Sequence, residues 1–249
     1  MELRPESWAK ENQNHGVVAV AFDEADIERA KQIARAKLDF TDVHSPGGQI
    51  RSRAVVYSRI VAGKLADAAV AAIIRGGLDQ TDFPAEVIEY DAIRTDGYRE
   101  PDEFDLQVRL GDITRDVEIR SSFSYRVWTP PRMLHAMSVY GWYTSGSKAV
   151  EPHREYYWQV LYHLRPEDIQ FAADAKPPWP MLKTFEDAVR QRDVSAYVVG
   201  GATRTLLSDD ARACVRRDQE GAEYRAIHPA ATAFDVDEMV QALRVDLTG

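Results

Sequence analysis

The sequence predicts an α/β fold in which a mixed central β-sheet is flanked by helices, and three observations carry that expectation. A long run at helical spacing, "SRAVVYSRIVAGKLADAAVAAIIR" (52–75), is followed by short apolar-alternating segments at 85–94, 104–110 and 115–128. Further strand-like segments, "REYYWQVLYHL" (154–164) and "SAYVVGGAT" (195–203), bracket a helical pattern at 181–192. Periods of 3.6 and 2 therefore alternate along the chain, as they do when strands and helices pack in layers.

Each element has a local reason. After a polar lead, "VVAVAF" (17–22) reads as a short buried strand. Residues 23–38 read as a helix with acids in the first turn and bases later, which suits the helix dipole. "HSPGGQ" (44–49) breaks the chain. The helix over 52–75 is alanine-rich, and Gly76-Gly77 stands at its expected C-cap. "TDGYREPDE" and "GDIT" are turn chemistry, so the next three strands form a meander behind that helix. Residues 129–145 read two ways, as a short helix from Pro131 and as a strand over "SVYGWY". "KPPWP" (176–180) reads as a loop, Gly200-Gly201 as a strand end or bulge, and "DVDEMVQALRVDL" as a final helix. The expected organisation is one elaborated domain, with residues 1–50 as a strand-and-helix extension, 51–205 as the core and 206–249 as a helical tail.

Composition narrows the function. With 249 residues, 45% of them apolar, the chain can bury a substantial core. Its 31 Lys and Arg against 40 Asp and Glu give a net charge of −9, which argues against a protein that coats nucleic acid and leaves room for an enzyme with one basic cleft. Cys214 is the only cysteine, so there is no internal disulfide and no thiolate zinc cluster. The histidines lack HxxxH spacing, and "VGGATRT" lacks a phosphate-loop pattern. No run reaches the length of a membrane span and the start lacks a secretory apolar region, so a cytoplasmic protein without membrane association is expected.

The carboxylates hold the chemical interest. In 104–110, Leu106, Val108 and Leu110 share one face and Asp105, Gln107 and Arg109 the other. In the next strand Val117 and Ile119 face the core, while Glu118, Arg120 and Ser122 take the opposite side. If the two strands pair through "GDIT", Asp105 and Glu118 meet on one polar face. Two adjacent carboxylates repel, and a bridging Mg²⁺ relieves the repulsion. The same face is also what any half-solvated hairpin presents. Asp67 is the single acid of "GKLADAAVAAII" (63–74), a segment otherwise fit for burial. It is either a third carboxylate or part of a solvent-facing stripe with Lys64, Ala71 and Arg75.

The order of these parts resembles the PD-(D/E)xK nuclease superfamily, with its restriction-endonuclease-like αβββαβ core, over roughly residues 52–128. The resemblance implies that Asp105 and Glu118 are catalytic and bind Mg²⁺ or Mn²⁺, with Asp67 the acid of the preceding helix. Asp102, in a literal Pro101-Asp102, competes with Asp105. Asp105 is preferred because it begins the alternating run. The third motif position holds Arg120 in place of lysine. Arginine stabilises charge but does not act as a general base. Lys64 supplies an ammonium only if its side chain reaches the site. The implied activity is a metal-dependent DNA endonuclease or nickase of a bacterial restriction, defence or DNA-modification system. DNA, other defence-system proteins and a second copy of the chain are its implied partners. The alternative is a catalytically degenerate DNA-binding or assembly subunit on the same fold.

Two further groups complete the expectation. Arg51, Arg53, Arg59 and Arg126, with Arg132, Arg216 and Arg217, are candidate phosphate contacts if folding brings them to one side. The Tyr- and Trp-rich runs at 138–148 and 154–164 read either as stacking surfaces for bases or as core.

Overall fold

The computed structural model describes residues 1–10, 13–79, 83–124, 128–144, 151–164, 184–217 and 222–249. The expected mixed α/β architecture is present. The polar lead, however, is itself a strand: β1 (Glu2–Lys10) pairs antiparallel along its whole length with β2 (Gln13–Ala21). The sequence hides it because β1 is an edge strand, where Pro5 and charged side chains are tolerated and only Trp8 is buried. Trp8 meets the edge of the Tyr197 ring at 4.9 Å.

Helix α1 (Glu24–Lys37) opens with a capping box between Asp23 and Asp26. Helix α2 (Arg53–Asp79) runs through Gly76-Gly77 and does not stop at them. Gly77 is there for close packing, since a β-carbon would stand 2.8 Å from Cγ1 of Val240 on the last helix. Next come β3 (Glu86–Glu89) and the single turn α3 (Tyr90–Ile93), where a strand to residue 94 was expected. The Tyr90 amide still bonds the Asp105 carbonyl in ladder register at 3.3 Å, and the chain then turns, with the Arg94 amide returning to the Tyr90 carbonyl at 3.0 Å. Strands β4 (Leu106–Leu110) and β5 (Ile113–Ser124) follow in the expected register, with Leu106 opposite Val117. The ambiguous 129–145 segment resolves into both readings, a short helix α4 (Pro130–Met133) and a strand β6 (Val139–Thr144).

Strand β7 (Tyr156–Leu164) is buried at all nine positions. The loop expected at 176–180 lies outside the described residues, and the helix expected at 181–192 is described as α5 (Phe185–Arg190). Strand β8 (Val194–Thr203) carries the bulge, where its pairing with β7 slips and Gly200 takes φ +100°. Helix α6 (Arg204–Ser208), strands β9 (Ala213–Arg217) and β10 (Glu223–Ile227), and helix α7 (Val236–Thr248) complete the chain. The last part is therefore not a purely helical tail.

The main sheet has the order β1-β2-β8-β7-β5-β4-β3, antiparallel except for the β5/β7 pair, and β6-β10-β9 form a second sheet. The N-terminal segment supplies one edge of the main sheet, so it is continuous with the core and not appended to it. On one face α2 packs Leu65, Ala69, Val70 and Ile74 against Val117, Ile119, Trp158 and Val198. On the other, α4, α6 and the second sheet cover Tyr157, Leu161 and Val199. Among the described residues no helix is long and apolar enough to cross a membrane.

The adjacent glycines of α2 give a direct test of this packing. Nothing lies within 4 Å of a β-carbon at Gly76, so Gly76→Ala is expected to stabilise by about 0.5–1 kcal/mol through helix propensity. Gly77→Ala drives into Val240 and is expected to destabilise by about 1–3 kcal/mol. Denaturant midpoints of the two variants should move in opposite directions.

Candidate functional site

The end of β4 gathers buried charge from four elements. One residue beyond the Leu106–Val117 pair, the β4 backbone leaves the ladder, and Asp105 Oδ2 takes its place by accepting the Ile119 amide at 2.7 Å. On the α2 side, Lys64 Nζ lies 2.7 Å from Asp67 and 2.7 Å from Asp91, with Asp102 at 3.6 Å. Lys37 of α1 pairs with Asp102 and stands 3.9 Å from Asp91. Arg94 bonds Asp102 at 2.6 Å and Asp96 at 2.7 Å, its guanidinium lying against the Tyr90 and Tyr98 rings. Asp67, Asp91, Asp102 and Asp105 thus outnumber Lys37, Lys64 and Arg94 by four to three, with the more exposed Asp96 at the rim.

On the opposite side of the sheet stands Glu118. Its neighbours Val117 and Ile119 belong to the core under α2, whereas Glu118 pairs with Tyr157, which belongs to the other core. Arg120 Nη1 lies 3.2 Å from Glu118 and its Nη2 pairs with Glu151. Arg154 approaches Glu118 at 3.9 Å and Asp116 at 3.4 Å. Glu151 also accepts the Tyr143 amide at 2.9 Å, and Gln159 links the Tyr140 amide to the Arg120 carbonyl.

Electrostatics follow from this arrangement. Burial pushes Asp67 up to about 7, with Asp105 and Asp91 adding to the rise against the pull of Lys64. Burial likewise pushes Glu118 up to about 8, with Asp105 and Glu151 raising it further against Arg120 and Arg154. Burial alone would lower Lys64, but Asp67, Asp105, Asp91 and Asp102 hold it well above the usual lysine range. Asp102 goes the other way: burial raises it, and Lys64, Lys37 and Arg94 outweigh that.

Asp105 therefore raises the proton affinity of both Asp67 and Glu118, and the solvent-facing stripe through Asp67 is ruled out by its 6% exposure. The trio is not gathered into one cluster, however. Asp67 and Glu118 lie on opposite sides of the sheet with Asp105 between them. Among the described residues no group of three or more His, Cys, Asp or Glu side chains has a metal-ligating arrangement. The donor set is nonetheless all carboxylate oxygen with negative charge in excess, which is the chemistry Mg²⁺ and Mn²⁺ take.

Among the described residues the candidate arginines are spread over several elements. Arg53 is exposed and pairs with Asp39 at 2.5 Å; Arg53 and Arg59 lie about 21 and 12 Å before Asp67 along α2. Arg51 precedes α2, Arg132, Arg216 and Arg217 lie on α4 and β9, and Arg126 falls outside the described residues. Lys64 does reach the acids. Sequence reasoning missed Asp91, Arg94, Glu151 and Arg154. The only signal was the acid-rich "YDAIRTDGYREPDEFD", read as strand and turn.

A pH dependence follows. Glu118 is held near 8 when folded, against an ordinary 4.5, so the folded chain keeps a proton that the unfolded chain releases. Its contribution is present below about pH 4.5 and is lost as pH rises through about 8. In EDTA, Glu118→Gln should match the wild type near pH 4.5 and exceed its unfolding free energy at pH 8.5. Denaturant titrations at the two pH values check this; a variant destabilised at pH 8.5 would contradict it.

No family model matches the chain, and no solved structure matches it. It is similar to the uncharacterized protein MJECS01 of Methanocaldococcus jannaschii, 24% identical over 247 residues, covering 93% of this chain and 86% of the relative.

Proposed function

We propose that the protein is a divalent-cation-dependent DNA endonuclease or nickase that hydrolyses a phosphodiester bond at Asp105. The observation that carries this reading is the buried carboxylate excess at the end of β4, which leaves Asp67 and Glu118 with raised proton affinity on either side of Asp105. The order α2, β3, α3, β4, β5, α4, β6, β7 supports it, since with the single turn α3 and the second-sheet strand β6 taken as insertions it follows the αβββαβ succession of the PD-(D/E)xK core that the sequence resembles, with Glu118 and Arg120 at the acid and basic motif positions. Mg²⁺ or Mn²⁺ would be held by Asp105 together with one flanking acid, Asp67 on the helix side or Glu118 on the other, and when bound would lower the pKa of a water and polarise a phosphoryl oxygen.

The remaining roles belong to the chain. Lys64 stays protonated among four carboxylates, so it donates to the phosphate or the leaving oxygen and takes no proton. It would thereby supply an ammonium from the helix side, while the motif position on β5 keeps Arg120. Arg120, fixed between Glu118 and Glu151, offers a permanent positive charge to the phosphate and serves no base function.

A second reading, a DNA-binding or assembly subunit that does not cut, is favoured by the ion pairs that Lys64 and Arg120 already make with the acids. Plasmid nicking separates the two. The first reading expects nicking that needs Mg²⁺, stops in EDTA and falls to background in Asp105→Ala and Glu118→Ala chains that still melt cooperatively. Equal nicking by both variants would sink it. DNA retention indifferent to EDTA, with no nicking by the wild type, supports the second.

A further inference from the structure

The second sheet contains an arrangement that the hydrolytic chemistry does not use. In its β6/β10 pair, Tyr143 lies opposite Tyr224 but Tyr140 lies opposite Ala226, so three residues of β6 span what two span on β10. Without that bulge, Tyr140 and Tyr143 would project from opposite faces of the strand. With it, both share a face with Tyr224. The rings of Tyr140 and Tyr143 stand 5.1 and 5.4 Å from that of Tyr224. The other face makes the core contact: Val139 and Ile227 pack in the second core, and Gly141 lies against Leu207. The three tyrosines remain half-buried.

Positive charge borders the tyrosines on two sides. The Arg120 guanidinium lies 5.7 Å from the Tyr143 ring centre and 5.9 Å from that of Tyr224, at the seam with the Asp105 centre. Arg216 pairs with Tyr224 across β9/β10, so it shares the face, and it makes no hydrogen bond or ion pair among the described residues. At the seam itself the Nε atoms of Arg120 and Arg154 are buried donors without an acceptor among the described residues.

We propose that this tyrosine face receives an unpaired base of a nucleic-acid strand, with Arg120, Arg154 and Arg216 contacting its phosphates. The inference rests on the nuclease reading for its placement and deepens it by naming the substrate class. Aromatic faces bordered by guanidinium groups suit single strands, because a base in a duplex is already stacked and paired and cannot lay its face on a protein ring. The surface therefore selects single-stranded DNA, or a duplex with a base turned out.

The test is equilibrium binding in EDTA, where no hydrolysis occurs, of labelled oligo(dT) and of the same strand in a duplex with oligo(dA). The single strand should bind at least about tenfold more tightly. Tyr224→Leu, which keeps bulk and removes the ring, should weaken it by about tenfold, and Tyr224→Trp should retain it. Cooperative melting of both variants shows that the sheet is intact. Duplex binding as tight as single-strand binding, or Tyr224→Leu within twofold of the wild type, would overturn the proposal. Single-strand binding by a chain that nicks nothing keeps this surface and removes the hydrolytic reading; nicking without single-strand preference does the reverse.

Discussion

The hydrogen bond from the Ile119 amide to the Asp105 carboxylate, at 2.7 Å, is the contact on which the site depends. It replaces a peptide carbonyl with a side chain at the point where β4 meets β5. The position of one carboxylate is thereby tied to the register of the main sheet, which slips only by turning Leu106 and Val108 out of the core. Around this fixed charge α2 sets Lys64 and Asp67, α3 sets Asp91, and β5 sets Glu118 and Arg120. Collecting that many acids away from water is costly, and three cations on the helix side offset only part of it. The remainder appears as raised proton affinity at Asp67 and Glu118.

The sheet divides the site in two. Asp67 belongs to the helical layer and Glu118 to the layer of the second sheet, and only Asp105, at the sheet's end, reaches both. The second half is stiffened by two bridging side chains. Glu151 joins Arg120 to the backbone of β6, and Gln159 joins the same strand to the backbone of β5. A change on the tyrosine face is in this way one contact from Glu118.

Much of this was legible in the sequence because it depends on period and parity. The alternation in 104–110 and 115–122 places Leu106, Val108, Val117 and Ile119 in the core and puts Asp105 across from Glu118, as observed. The isolation of Asp67 in an alanine-rich helix singles it out but leaves burial and a solvent-facing stripe both open, and the structure buries it. What the sequence does not carry is long-range pairing. β1 looks like a polar lead because an edge strand needs few apolar residues. Gly76-Gly77 looks like a helix end because the contact that retains Gly77, Val240, is far along the chain. Asp91 and Arg94 read as strand residues because the apolar alternation runs on past Glu89, where the chain instead closes the short turn α3 with the Arg94 amide on the Tyr90 carbonyl. Parity also cannot say that α2 approaches one face of the sheet while Glu118 occupies the other, so three acids that look like one set are two overlapping pairs.

The central claim is that the carboxylate excess at Asp105 is a place for a divalent cation. It is tested most directly by calorimetric titration of Mn²⁺ at pH 7 in buffers of different ionisation enthalpy. A cation held by Asp105 with Asp67 or Glu118 displaces a proton that the flanking acid holds near 7 or 8, so the account predicts saturable binding with release of up to about one proton per ion, abolished by Asp105→Asn. Absence of binding, or binding that releases no proton and survives Asp105→Asn, would contradict it.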